Sequence, residues 1–317
     1  MDEANKNKST YWILGAALLL IGVFVAVALV MVNSQAVGVS TQVSIGNQPP
    51  TVSSHVCRTG NDTNYTTSNC PNPLQLTDGL TTKYSFQGIV TDPNGASDIT
   101  GVKESVRRTA LGGGCTPDNN DCYIVDPCTW DTGYGTTDQA SFKCSINMDF
   151  YADSTESGGV YPADTWTATV VVSDDGGSTY VSNAINTSVE THFAVQILST
   201  PVEWGARPLG FASDTGNNIS RGVKQAGNDQ ALINISGGDL GCSTYGTIPR
   251  TNQEYSTTNV AFGSGNAMPA SATASGATLD YRTAGDVLDD IWFMIKVPNV
   301  GVEGNCTGTI TLVAAPS

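Results

Sequence analysis

Histidine is almost missing from this chain: His55 and His192 are the only two in 317 residues, and neither sits in a recognisable motif. A Ser-His-Asp or Cys-His nucleophile would have to borrow one of them without its usual surroundings. Also missing are a G-x-S-x-G turn, an H-E-x-x-H helix and a phosphate-cradling glycine loop, and Gly112-Gly113-Gly114 leads into Cys115, so it reads as a loop. A glycosidase-type pair drawn from Asp149, Asp153 and Glu156 has nothing in the sequence to hold it at working distance. An enzyme is therefore not expected. Basic residues are scarce too: 14 Lys and Arg face 29 Asp and Glu, for a net charge of −15, and Arg107-Arg108 stands alone. With no basic cluster to neutralise phosphates, nucleic acid is not an expected partner. No C-x-x-C spacing occurs, which argues against thiolate-bound metal. Helical periodicity is lacking as well, except in one place.

That place is Tyr11–Val32, an unbroken apolar run of 22 residues (YWILGAALLLIGVFVAVALVMV). As a helix it spans roughly 33 Å, about a bilayer's hydrocarbon core, and helix is the form that satisfies its own backbone there. Lys6 and Lys8 precede it, and no Lys or Arg follows until Arg58, so the N-terminus is expected in the cytoplasm and residues 33–317 outside. The competing reading is a secretory signal cut after Ala36, at Ser34-Gln35-Ala36; a signal's apolar region is usually shorter. Both readings export the chain.

The exported part holds all eight cysteines: Cys57, Cys70, Cys115, Cys122, Cys128, Cys144, Cys242 and Cys306. An even number in an oxidising space predicts disulfides. Spacing leaves connectivity open, but local closure favours Cys57–Cys70, Cys115–Cys122 and Cys128–Cys144, with Cys242 and Cys306 left for a second domain.

Organisation follows from period-two patterns, which mark strands. In Ala36–Gly46, Val37, Val39, Thr41, Val43 and Ile45 alternate with small or polar residues. This is an extended stalk, the first strand of the next domain, or a detachable strand that completes a neighbour's sheet. The paired prolines of Gln48-Pro49-Pro50-Thr51-Val52 mark a module entry. Beyond it Tyr84–Val90, Phe142–Phe150 and Trp166–Val172 alternate, with turn residues Asp92-Pro93-Asn94-Gly95 and Asp174-Asp175-Gly176-Gly177 after the first and third. A second domain is expected from Ile197, with Thr200-Pro201 as the joint and strands at Val202–Gly205, Gln230–Ser236 and Asp290–Val297. The expected class is all-β: two β-sandwich modules behind one transmembrane helix. The divisions are 1–10 cytoplasmic tail, 11–32 helix, 33–47 stalk or first strand, 48–196 first module with a cysteine-rich insertion at 112–144, and 197–317 second module.

The residues QPPTV (48–52), GIVTDPNGASDITGV (88–102) and DTWTATVVVSDDGG (164–177) together resemble bacterial and archaeal surface modules of the immunoglobulin-like, PKD-like or cadherin-like kind. Those modules lack the 112–144 insertion. The ending IWFMIKVPNVGVEGNCTGTITLVA resembles the final hairpin of repeated surface-protein sandwiches, with Cys306 where an aromatic often stands, which fits a disulfide to Cys242 that staples two sheets.

Candidate sites are few. Asp92, Asn94 and Asp98 in one turn, and Asp174 and Asp175 in another, offer oxygen ligands suited to calcium, the one candidate cofactor; the plainer reading is a pair of solvated turns. Asn61, Asn64, Asn186, Asn218, Asn234 and Asn305 lie in N-x-[ST] triplets, candidates for glycosylation because export permits it. Trp130, Trp166, Trp204 and Trp292 are candidates for sugar stacking. Of these, Trp166 and Trp292 read as core, and Trp130 is the candidate ligand contact.

The expected role is a non-enzymatic cell-surface protein, structural or adhesive, single-pass and N-in, with its loops around Cys115–Cys144 as contact surface. Its expected partners are the membrane, other envelope proteins, glycans or copies of itself. Two alternatives stay open. One is a subunit of an extracellular filament, through pilin-like packing of 11–32 or strand donation by 37–45; the pilin family's processing context with Glu at the fifth position is lacking. The other is a carbohydrate-binding module.

Overall fold

The computed structural model describes residues 42–60, 63–177, 179–181 and 184–317. The expected helix 11–32, the Ala36 processing site, residues 37–41 and Asn61 lie outside them. Among the described residues no helix is long and apolar enough to cross a membrane. Helix there is confined to three short 3-10 turns, and the expected all-β class is observed.

The first module contains β1 (Thr51–Thr59), β2 (Thr81–Thr91), β3 (Ile99–Arg108), β4 (Cys122–Val125), β5 (Thr129–Asp131), β6 (Gln139–Asp149), β7 (Trp166–Asp174), β8 (Thr179–Val181) and β9 (Ile185–Thr187). One sheet runs β1-β2-β6-β5; the other runs β4-β3-β7, with β8 and β9 both on the outer edge of β7. All these pairings are antiparallel, and the strand order is that of an immunoglobulin-type sandwich. Alternation explains the core. Tyr84 and Phe86 of β2, Ile146 and Met148 of β6, and Val106 and Trp166 from the facing sheet meet in one buried cluster. Val90, Phe142, Val170 and Val172 meet in a second. Trp166 buries its whole ring and still satisfies its indole N–H, which donates to the Asp153 carbonyl at 2.9 Å. The cysteine-rich stretch 112–144 is no insertion: it supplies β4, β5 and the first half of β6, strands of both sheets.

The second module contains β10 (Val195–Ile197), β11 (Ile219–Gln225), β12 (Ala231–Gly237), β13 (Leu240–Cys242), β14 (Tyr245–Ile248), β15 (Gln253–Ser256), β16 (Asn266–Ala267), β17 (Thr273–Leu279), β18 (Leu288–Ile295), β19 (Val302–Glu303), β20 (Cys306–Thr307) and β21 (Ile310–Pro316). The sheet β10-β11-β18-β15-β16 faces β17-β12-β21, with a small sheet β19-β14-β13-β20 beside them. Val223, Ile233, Ile235, Phe293 and Leu279 fill the space between. Because β10 already pairs with β11, this module begins by Val195, slightly before the expected joint.

Three expectations need correction. Val202–Gly205 is not a strand; the chain from 198 to 211 carries none, and Val202 and Trp204 pack as side chains against the core of the second module. The segments around Trp292 and Thr311 are not a hairpin, since β18 and β21 lie in opposite sheets. The Cys242–Cys306 disulfide does not staple the two sheets: its cysteines face each other on neighbouring strands β13 and β20 of the small sheet. The three locally closed disulfides form as expected, Cys242 and Cys306 make the fourth across 64 positions, and no described cysteine is free.

Residues Asn47–Ser317 form one compact unit, and a buried polar joint binds its two modules. Asn228, 2% exposed, donates through Nδ2 to the carbonyls of Ala152 and Glu190 at 2.9 and 2.8 Å, and its Oδ1 accepts the His192 N–H at 2.7 Å. A Cβ on the neighbouring Gly227 would lie 2.2 Å from the His192 carbonyl, so only glycine lets the two backbones meet there. Arg282 adds a stack, 4.2 Å from the Tyr151 ring centre. Asn228→Ala leaves two buried carbonyls and one N–H without partners, and is expected to cost about 2–5 kcal/mol of unfolding free energy. Denaturant unfolding of the full chain reads this as a lower midpoint at unchanged slope; an unmoved midpoint would mean that the joint does not rest on this amide.

Candidate metal centre

The turn after β2 and the turn after β7 come together at one end of the first module. Ligand oxygens of Asp92, Asp98 and Asp174 all lie within 4.8 Å of one another. Oxygens sharing one Ca²⁺ at 2.3–2.6 Å cannot be more than about 5 Å apart, so this spacing fits a single hard cation. Asp175 is part of the same cluster, since its N–H donates to the Asp98 carbonyl at 2.9 Å and its carboxyl bonds to that of Asp98. That shared proton, before any effect of burial, raises the Asp98 pKa to about 6. Asn94 belongs to the turn, but its Oδ1 accepts the Gln48 N–H at 2.7 Å.

Asp92 is the informative member. It is fully buried; Oδ1 accepts the Asn94 N–H at 2.8 Å, while Oδ2 has no hydrogen-bond partner among the described residues. Among the described residues no Lys or Arg pairs with Asp92 or Asp98. A buried carboxylate oxygen without partner or counter-charge is costly, and an oxygen-binding cation would remove that cost. The module entry is tied to the same cluster, because Asn47 Nδ2 donates to Asp174 Oδ2 at 2.9 Å. Gly176 makes room for it: a Cβ there would fall 2.1 Å from the Asn47 amide.

The opposite end of the module gathers carboxylates around a cation that is covalently present. Arg108 meets Asp121, Asp153 and Asp164 at 3.1, 2.6 and 3.2 Å, with its guanidinium 3.7 Å over the Tyr161 ring. Burial pushes the Asp153 carboxyl up to about 6 against the pull of Arg108. Nothing in the sequence singles out this hub except the Arg107-Arg108 doublet, whose partners lie 13 to 56 positions away.

The remaining candidates are spread out. His55 is buried on β1, its Nε2 3.2 Å from Glu104, whose pKa burial raises. His192 is not on a strand; it lies at the joint, 2.6 Å from Asp78. Trp130 is half-buried on the edge strand β5 against the second core cluster. Trp204 packs against both clusters of the second module, and Trp292, expected in the core, is only half-buried. Asn64, Asn186 and Asn305 are exposed, Asn234 is half-buried, and the Asn218 amide is bound to Asn259 and Val260.

No protein-family model and no curated protein matches the chain. Among solved structures, one described as "BspA_C_WT" aligns with 83% of this chain and 96% of its own at 8% identity and a TM-score of 0.23, a level at which the likeness says nothing of fold or function.

Calcium is expected to raise the melting temperature of the detergent-solubilised full chain at pH 7.5. With a Kd of about 0.1 mM, 10 mM Ca²⁺ contributes about 2.7 kcal/mol. Asp92→Asn should abolish the shift and leave the calcium-free chain at least as stable. Because the Asp98 pKa is raised to about 6, the folded chain holds a proton there that the unfolded chain loses at lower pH. Calcium must displace that proton below pH 6, so its effect should fade between pH 7 and 5. A melting temperature indifferent to calcium at pH 7.5 would reduce the cluster to a pair of turns.

Proposed function

We propose that this chain is a non-enzymatic cell-surface protein, structural or adhesive, held by residues 11–32 with its N-terminus in the cytoplasm and both modules outside. The observation that carries this reading is the pairing of all eight cysteines into four disulfides downstream of a bilayer-length apolar run. Such bridges persist in oxidising compartments, and the apolar run is the means of reaching one.

The mechanism is presentation. An anchored protein projects a surface best when its modules do not pivot, and the Asn228 joint opposes pivoting by burying fully paired polar groups between them. Calcium at Asp92, Asp98 and Asp174 would stiffen the other joint, where the stalk enters at Asn47 and Gln48. Envelope proteins and glycans are the partners this reading favours.

Protease shaving of intact cells that make the protein is expected to remove residues beyond 47 and spare a membrane-embedded N-terminal fragment. Full reduction should raise the intact mass by about 8 Da, two hydrogens for each of the bridges. Recovery from the cytosol with thiols free would sink the reading, and a mature N-terminus at Val37 would replace the anchor by a cleaved signal.

A further inference from the structure

The two modules share part of a scheme of strand neighbours, and at one position of it the second has no counterpart to the first. The sheet β1-β2-β6-β5 corresponds to β10-β11-β18-β15, and the central pair β3–β7 to β12–β21. In the first module the sheet continues past β7 with β8 and β9; in the second it stops at β21. Among the described residues no backbone hydrogen bond reaches the outer edge of Ile310–Pro316. The consequence shows in burial: Trp166, Ala168, Val170 and Val172 of β7 are buried, whereas Ile310, Leu312 and Ala314 of β21 are only half-buried.

A cavity of about 1100 Å³ runs beside that open edge, walled by Ile310, Leu312, Phe293 and Ile295 and covered by the strandless segment 198–209. Two polar atoms of its lining residues lack partners: the indole N–H of Trp204 and Oε1 of Gln253, a residue 1% exposed. Apolar side chains rim it, with Leu209 about half exposed (55%). An unpaired edge beside an apolar slot is built for an extended peptide with an apolar residue at every second position.

The chain carries such a peptide. Val39-Ser-Thr-Gln-Val43 repeats the pattern of Ile185-Asn-Thr-Ser-Val189, the segment through β9 that closes β7 and sets Thr187 and Val189 inward. Residues 37–45 are uncharged, and nine residues paired as a strand would span roughly 30 Å, enough to cover the seven residues of β21. Val43 and Ile45 are 81% and 83% exposed and belong to no strand. Their own slot is out of reach. Ile45 is two residues, at most about 7 Å, from Asn47, which is held at the Asp174 end of β7. The second module docks near the Trp166 end, roughly 27 Å away along that strand.

We propose that the slot beside β21 receives residues 37–45 of a second copy, which serve as the last strand of the second module and link copies head to tail. Such a contact is heterologous and propagates. The inference goes beyond anchoring and holds whether the segment 11–32 is kept or removed.

The test uses the full chain in detergent carrying Val43→Asp and Ile45→Asp, two exposed positions, so that its own segment cannot compete. A labelled synthetic peptide of residues 36–47 is expected to bind saturably, and the same peptide with both Asp substitutions at least tenfold more weakly. Hydrogen exchange should slow selectively at the amides of 310–316 when the wild-type peptide is added, a readout that needs no change in the acceptor. Leu312→Arg should weaken binding by a similar factor. No saturable binding up to about 1 mM, equal binding of the Asp peptide, protection away from β21, or native mass spectra showing the slot filled by a lipid or detergent chain would each overturn the proposal.

Discussion

Eleven consecutive residue pairs between β2 and β6, from Thr81 opposite Asp149 to Thr91 opposite Gln139, hold the first module in register. Side chains alternate faces along a strand, so a one-residue slip of β2 would turn Tyr84 and Phe86 out of the core together, and a slip of β6 would do the same to Cys144 and Ile146. The same ladder places Cys144 for its bridge to Cys128 and delivers Asp92 to the end of the sheet, where its N–H meets the Asp138 carbonyl. Core, disulfide and acidic cluster are thus three outcomes of one pairing.

The two ends of that module treat crowded carboxylates differently. At one, Arg108 lies among Asp121, Asp153 and Asp164, and its charge offsets burial that would otherwise be costly. At the other, Asp92 and Asp98 have no basic partner among the described residues, Asp98 shares a proton with Asp175, and one buried oxygen of Asp92 stays unpaired by any of them. Protein charge meets the demand in the first case. In the second a proton meets part of it, and a divalent cation would meet the rest.

The strands with strong alternation were legible: Tyr84–Val90 and Trp166–Val172 fall within β2 and β7, and Phe142–Phe150 runs one residue past the end of β6. Disulfide partners were legible because short loops favour local closure, and the cation candidates because two acidic turns follow strands of one sandwich. Val202–Gly205 misled because its apolar spacing reflects packing over a cavity and not a ladder. The ending of the chain misled because a hairpin-like spacing cannot tell whether two strands join the same sheet or opposite ones. Arg108 was invisible as a hub, since its three partners are brought in from distant loops.

Period-two hydrophobicity, turn residues and cysteine spacing are local properties, and by themselves they determined that the chain beyond the apolar run is all-β, where its strongest strands run and which cysteines are close enough to pair. Which strand neighbours which is a choice among distant segments, made by the fit of whole sheet faces. Only the tertiary structure could therefore decide that Asp92 and Asp174 share one end, that Asn228 closes the joint, and that β21 has one edge unpaired among the described residues.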